Sequence, residues 1–287
     1  NNFMSDKKLE GAGLRGQVAG KTSLSTVGKA GKGLTYRGYP IEVLSEKAKF
    51  EEVAYLLMYG SLPNKDEYEN YSSKLISMRS LPNPILEVLE RIPASAHPMD
   101  VMRTGCSMLG NIEPEGEFSN QQESADRILA TMASIIVYWY KYSHEGKKVN
   151  TSSDYETIGG HFLSLLHGDE PSEDHIRCLD TSLILYAEHG FNASTFTART
   201  CASTLSDIHS CITGAIGTLR GPLHGGANEA AMELIEQFST TEEAKSTVLK
   251  MLDNKEKIMG FGHAVYSTED PRNAIIKKWS EKLSKNN

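Results

Sequence analysis

From Phe50 onward the apolar residues recur at the three- and four-residue spacing of a helix, and prolines and glycines interrupt them at short intervals. A chain so patterned buries its apolar stripes by packing helix on helix. Phe50, Val53, Ala54 and Leu57 make the first stripe, which Gly60 and Pro63 end. Asn64 followed by Glu67 has the form of a capping box and opens a helix to about Ser80. Pro82 and Pro84 punctuate another helix ending near Pro93, Pro98 opens one through Leu109, and residues 111–122 read as a polar loop. Over residues 125–142, Ile128, Leu129, Met132, Ile135, Ile136 and Trp139 fall on one side, as in a core helix. After a helix over 172–189, Asn192 is placed to cap a long helix from Ala193 to about Leu219. Within it Cys201, Leu205, Ile208, Ile212, Ala215 and Leu219 form a helix–helix seam. The pattern changes only ahead of Phe50, where residues 23–27 and 34–39 are β-prone and predict a small hairpin. Its glycine-rich turn is not a phosphate loop, because Leu34 follows Gly33 where Lys and Ser or Thr are needed.

Several function classes drop out on composition. The longest apolar run, residues 133–140, is far below the ~18 residues of a membrane span, so a soluble protein is expected. A net charge of −7 with interspersed signs argues against a nucleic-acid partner. Cys106, Cys178, Cys201 and Cys211 are scattered, with no C-x-x-C and no secretory leader, as in a reduced cytoplasmic protein. No metal site is expected, since His144 and Glu145 lack the rest of H-E-x-x-H and His161, His167 and His175 fall on separate predicted turns. Asn1–Phe3, ahead of Met4, are set aside as an expression remnant.

The chemistry concentrates in two stretches. Residues 219–235, LRGPLHGGANEAAMELI, place His224 between a proline turn and a glycine pair, just before a helix with Ala227, Ala230, Ala231, Leu234 and Ile235 on its buried face. The positive end of that helix disfavours an imidazolium, so the ring stays neutral and donates from an N–H. A neutral imidazole beside a carbonyl stabilises an enolate. Gly225 and Gly226 leave room for a substrate against the backbone. Residues 258–272, IMGFGHAVYSTEDPR, repeat the grammar: Gly260, Gly262 and His263 expose backbone N–H groups beside a second imidazole, and Arg272 offers a fork for a carboxylate. A histidine among glycines also fits a plain turn, so spacing alone leaves both readings open.

GPLHGGANEAAMELI and MGFGHAVYSTEDPR together resemble the citrate synthase superfamily, with similarity from about Ala12 to the last residues. The segments GLRGQVAGKTSLSTVGKAGKGLTYRGY, AHPMDVMRTG, YWYKYSHEG, IGGHFLSLLHG and YAEHGFNASTF resemble its 2-methylcitrate synthase branch in particular. The resemblance implies an all-α fold, a large helical domain over 1–224 and the start of a smaller one over 225–287, with the site in the cleft between. It implies a condensation of propionyl-CoA, or in the alternative acetyl-CoA, with oxaloacetate, and no tightly bound cofactor. His224 then binds the thioester oxygen while an aspartate removes the α-proton, and His263 polarises the oxaloacetate ketone. His189 and Arg272 match oxaloacetate ligands. Lys257, Ile258, Met259, Gly260, Phe261 and Gly262 match the segment that contacts coenzyme A. Citrate synthases pair central helices across a two-fold axis, so a homodimer is expected.

The sequence departs from the family at two points. The family's aspartate base and two further substrate arginines lie a few dozen residues beyond the G-x-G-H motif, past Asn287, so the sequence reads as a fragment or the ordered part of a longer chain. Without that base the alternative is a silent CoA- or dicarboxylate-binding homologue. Asp253 and Asp270 are not at the family's position, and Asp270 reads as a turn residue. Gly190 stands where relatives commonly carry an acid, which bears on the geometry of His189.

Overall fold

A computed structural model describes residues 18–28, 33–256, 258–260, 266 and 269–285. The chain opens with three short antiparallel strands, β1 (Ser25–Val27), β2 (Leu34–Tyr36) and β3 (Tyr39–Pro40), in the order β1-β2-β3. Ser25 faces Tyr36 and Val27 faces Leu34, as the hairpin expectation required. Helices follow: α1 (Ile41–Lys47), α2 (Phe50–Tyr59), α3 (Lys65–Ser77), α4 (Asn83–Glu90), α5 (Pro98–Ile112), α6 (Gln121–Glu145), α7 (Ile158–His167) and α8 (Glu173–Tyr186). Then come α9 (Ala193–Ala202), α10 (Ile208–Leu219), α11 (Gly226–Glu236), α12 (Thr241–Asp253) and α13 (Pro271–Ser284). The all-α expectation holds.

Local signals set most boundaries. Gly60 ends α2 at φ +100°, a conformation that costs glycine little. The Asn64–Glu67 capping box forms: the Glu67 N–H donates to Asn64 Oδ1 at 2.9 Å and the Asn64 N–H to Glu67 Oε2 at 2.8 Å. Two expectations fail. The stretch 111–122 is not one loop, because α5 runs on to Ile112 and α6 starts at Gln121 after a 3-10 turn at Phe118–Asn120. His161 and His167 share α7, and His175 lies in the first turn of α8, so these are helical rather than turn residues.

The 25-residue α6 is central, and it is buried on more than the one side its periodicity marks. Ala130 and Ala133 join a core with Tyr36, Ile41, Val53, Leu56, Ile184 and Leu185. Ile128, Ile135, Tyr138 and Trp139 join a second core with Ile85, Leu89, Val101, Leu109 and Ile216. Buried carboxylates tie helix starts together. Asp180 Oδ1 accepts the Phe50 N–H at 2.9 Å, and Glu51 Oε1 accepts the Ile158 N–H at 2.7 Å.

The long helix expected from Ala193 to Leu219 is instead a helical hairpin. The chain leaves α9 at Ser203, passes through Leu205 at φ +63°, and restarts where Asp207 accepts the Ser210 N–H at 3.0 Å. An Asp cap of this kind offers α10 its own start, which outweighs the continuous apolar period. Leu205 is consequently 81% exposed and takes no part in the seam. The buried face expected on α11 is also reduced: no residue of α11, α12 or α13 is fully buried, and Ile235 is 63% exposed.

Candidate functional site

His224 lies half-buried two residues ahead of α11. Its Nε2 sits 2.8 Å from Ser194 Oγ and receives the Ser194 backbone N–H at 3.4 Å. The one Ser194 hydroxyl proton is also within reach of Asn192 Oδ1 at 2.8 Å, so this contact fixes the position of the His224 ring rather than its tautomer. Burial holds its pKa below the ordinary histidine range, so the ring is neutral, as expected, though burial rather than the helix terminus is the cause. The role expected of the glycine pair changes. A Cβ on Gly225 would lie 2.6 Å from the Leu219 carbonyl oxygen, and one on Gly226 would lie 3.0 Å from that of Gly221. These glycines make room for the chain's own turn, which the His224 N–H closes on the Gly221 carbonyl at 2.9 Å.

His189 follows the end of α8 and is half-buried. Its Nε2 lies 3.0 Å from the Tyr266 hydroxyl, with the rings edge to face at 5.5 Å and 67°. Strand β2 braces this position: the Tyr36 hydroxyl donates to the Ile184 carbonyl at 2.8 Å and accepts the Glu188 N–H at 3.3 Å. Glu188 Oε1 accepts the Ser25 hydroxyl at 3.1 Å and also the Gly190 N–H. Burial pushes the Glu188 carboxyl above its usual range. Gly190 stands at φ +72°, where a side chain would be strained, so the departure at this position is built into the turn.

Only residues 190–193 separate His189 from Ser194. Asn192 fixes this loop by accepting the Thr195 N–H at 2.9 Å as the cap of α9, and its Oδ1 also takes the Ser194 hydroxyl at 2.8 Å. The guanidinium of Arg199 covers the Phe191 ring at 4.9 Å. One short loop thus carries His189 at one end and the partner of His224 at the other.

Arg272 is the second residue of α13. Its Nε lies 3.0 Å from Asp270 Oδ1 and its Nη2 2.6 Å from Asp270 Oδ2, a two-pronged pair. Burial lowers the Arg272 pKa, but the Asp270 carboxylate outweighs it and the net shift is upward. The fork read as a substrate clamp therefore grips a carboxylate of its own chain, and Asp270 also caps α13 through the Arg272 N–H at 3.0 Å. Ile258 is buried, Met259 half-buried and Gly260 exposed, with a Cβ on Gly260 falling 3.2 Å from Ala231 Cβ of α11. His263, Lys257, Phe261 and Gly262 lie outside the described residues.

The structure brings His224 to Ser194 and His189 to Tyr266. Ser194, Glu188 and Tyr266 escaped the sequence reading, which used Asn192 only as a cap. Ser194 had a signal, since it lies within the same cap; Tyr266 and Glu188 had none beyond standing near a histidine. Among the described residues no group of three or more His, Cys, Asp or Glu could hold a metal ion. No helix among them is long and apolar enough to cross a membrane.

A mainly helical body with one imidazole at the start of a short loop and a second held against the residue at its end defines a class. A family profile described as citrate synthase, C-terminal domain, matches residues 13–287, and the chain belongs to the citrate synthase family. It is 65% identical over 282 residues to 2-methylcitrate synthase of Shewanella oneidensis, spanning 98% of this chain and 75% of that protein. It is 39% identical to 2-methylcitrate synthase 1 of Corynebacterium glutamicum, over 98% of this chain and 75% of the relative. Citrate synthase of Thermotoga maritima superposes with a TM-score of 0.82 at 37% identity, covering 95% of this chain and 73% of the other. The ternary complex of Thermoplasma acidophilum citrate synthase with carboxymethyl coenzyme A and oxaloacetate superposes at 0.86 with 28% identity, over 96% and 73%.

Proposed function

We propose that the chain carries the condensation of propionyl-CoA with oxaloacetate to 2-methylcitrate and CoA. The observation that carries this reading is the 65% identity to a 2-methylcitrate synthase along nearly the whole chain. The site supports it in physical terms. Held against Ser194, the His224 imidazole donates a ring N–H to the thioester oxygen as an aspartate base of the family's kind takes the α-proton. The resulting enol forms its bond to the ketone carbon of oxaloacetate while the ketone oxygen gathers charge against His263. Water then cleaves the thioester and releases the CoA thiol. His189 and Arg272 bind the oxaloacetate carboxylates, Arg272 exchanging Asp270 for the substrate, and the segment 257–262 meets coenzyme A.

On this reading the large lobe spans 1–224 and the small lobe begins at 225. The protein works in the cytoplasm as a homodimer, with coenzyme A only as part of its substrate. The test is CoA thiol release from propionyl-CoA and from acetyl-CoA, each with and without oxaloacetate. Oxaloacetate-dependent release favouring propionyl-CoA is the expected result. Preference for acetyl-CoA would make it a citrate synthase, and no release from a chain of verified mass would make it a silent binder.

A further inference from the structure

The hydrogen bond between His189 and Tyr266 joins residues 77 positions apart, one after α8 and the other just before α13. Tyr266 is half-buried and lies in the field of Asp270, Arg272 and Glu42 as well as against the His189 ring. It therefore touches one of the two side chains read as oxaloacetate ligands and feels the charge of the other. We propose that Tyr266 is a positioning residue for oxaloacetate, its hydroxyl and ring fixing the orientation of the His189 imidazole.

The hydroxyl contact at Nε2 fixes one edge of the His189 ring, and with it the direction in which the opposite edge points. Burial pushes the Tyr266 pKa up to about 12, so the hydroxyl that makes this contact stays protonated through the working range. The edge-to-face contact at 5.5 Å restrains rotation of the ring about its hydrogen bond. A histidine so held meets a carboxylate with its donor already aimed, and less ordering remains to be done on binding.

The inference rests on the oxaloacetate reading, and the experiment separates the two. Calorimetric oxaloacetate binding is compared for the parent protein, Tyr266→Phe, His189→Asn and the double variant, with thermal melting to confirm folding. Phenylalanine keeps the ring contact and removes only the hydroxyl. Binding about tenfold weaker in Tyr266→Phe, and a change of less than twofold when His189 is already replaced, is the expected pattern. Parent-like binding in Tyr266→Phe, or an equal loss in both backgrounds, overturns the proposal. If the parent itself does not bind oxaloacetate, the substrate reading fails. The positioning role is then decided by the ring ¹⁵N shifts of His189, which report the hydrogen bonding of its nitrogens: a shift in Tyr266→Phe supports it, and unchanged shifts overturn it.

Discussion

Two neighbouring features set the state of His224: burial keeps its ring neutral, and Ser194 holds it in place. His224→Ala should lower turnover on the order of a hundredfold to a thousandfold, the worth of one oxyanion donor, with an unchanged melting curve. Unfolding of the variant would assign the residue a structural role instead. A second prediction concerns His161, fully buried between the hydroxyls of Ser134 at 3.0 Å and Ser153 at 2.7 Å. Burial first, and Arg79 second, hold its pKa down to about 3. A depressed folded pKa contributes stability above the unfolded value near 6.5 that is lost as pH falls toward 3. Between pH 7 and pH 5 the parent should lose about 2 kcal/mol more than His161→Asn in denaturant titrations. Glu51 has the opposite sign, because burial raises its carboxyl to about 7. Its contribution is full below the unfolded carboxylate pKa and lost as pH rises through 7, so Glu51→Gln should flatten that limb. At this scale the sequence was legible where a residue type sits in a distinctive pattern, as with His224 and His189. It was silent on Tyr266, whose role depends on a contact 77 positions away, and marked Ser194 only as part of a cap.

Helix starts were legible where a local hydrogen bond decides them, as at Asn64 and Asn192, whereas Asp270, read as a turn residue, caps α13. Apolar period misled where cap chemistry competed with it. From Ala193 to Leu219 the spacing is right for one helix, yet Asp207 gives α10 an independent start. Asp207→Ala should therefore cost about 1 kcal/mol in global stability. Close approach of α5 to its neighbours was also invisible in sequence, because a glycine in a helix has no signature of what it touches. A Cβ on Gly105 would fall 2.5 Å from Ile135 Cγ2, and one on Gly110 would fall 2.6 Å from His209 Cβ. Gly105→Ala should destabilise by about 1–3 kcal/mol despite its better helix propensity, and by less when Ile135 is already replaced by alanine, as a double-mutant cycle would read. Gly110→Ala should cost more, since the obstructing atom is fixed to the α10 backbone and only separation of the helices relieves it.

Across the molecule, burial is uneven. Two cores share α6, whereas α11, α12 and α13 contain no fully buried residue. Native-state hydrogen exchange should find the α6 amides opening with the global unfolding free energy and those of α11 and α12 far more readily. Uniform protection would contradict that division. The helical class was legible because period and punctuation agree along most of the chain, while the unequal burial was not, since α11 and α12 carry apolar stripes much like those of core helices. The loop of residues 190–193 has a consequence for how the chain can change. It is a spacer of fixed length between one imidazole and the partner of the other, pinned at both ends by Glu188 and Asn192. An insertion or deletion of a single residue there would put both histidines out of register at once, so length variation elsewhere is tolerable in a way that it is not at this corner.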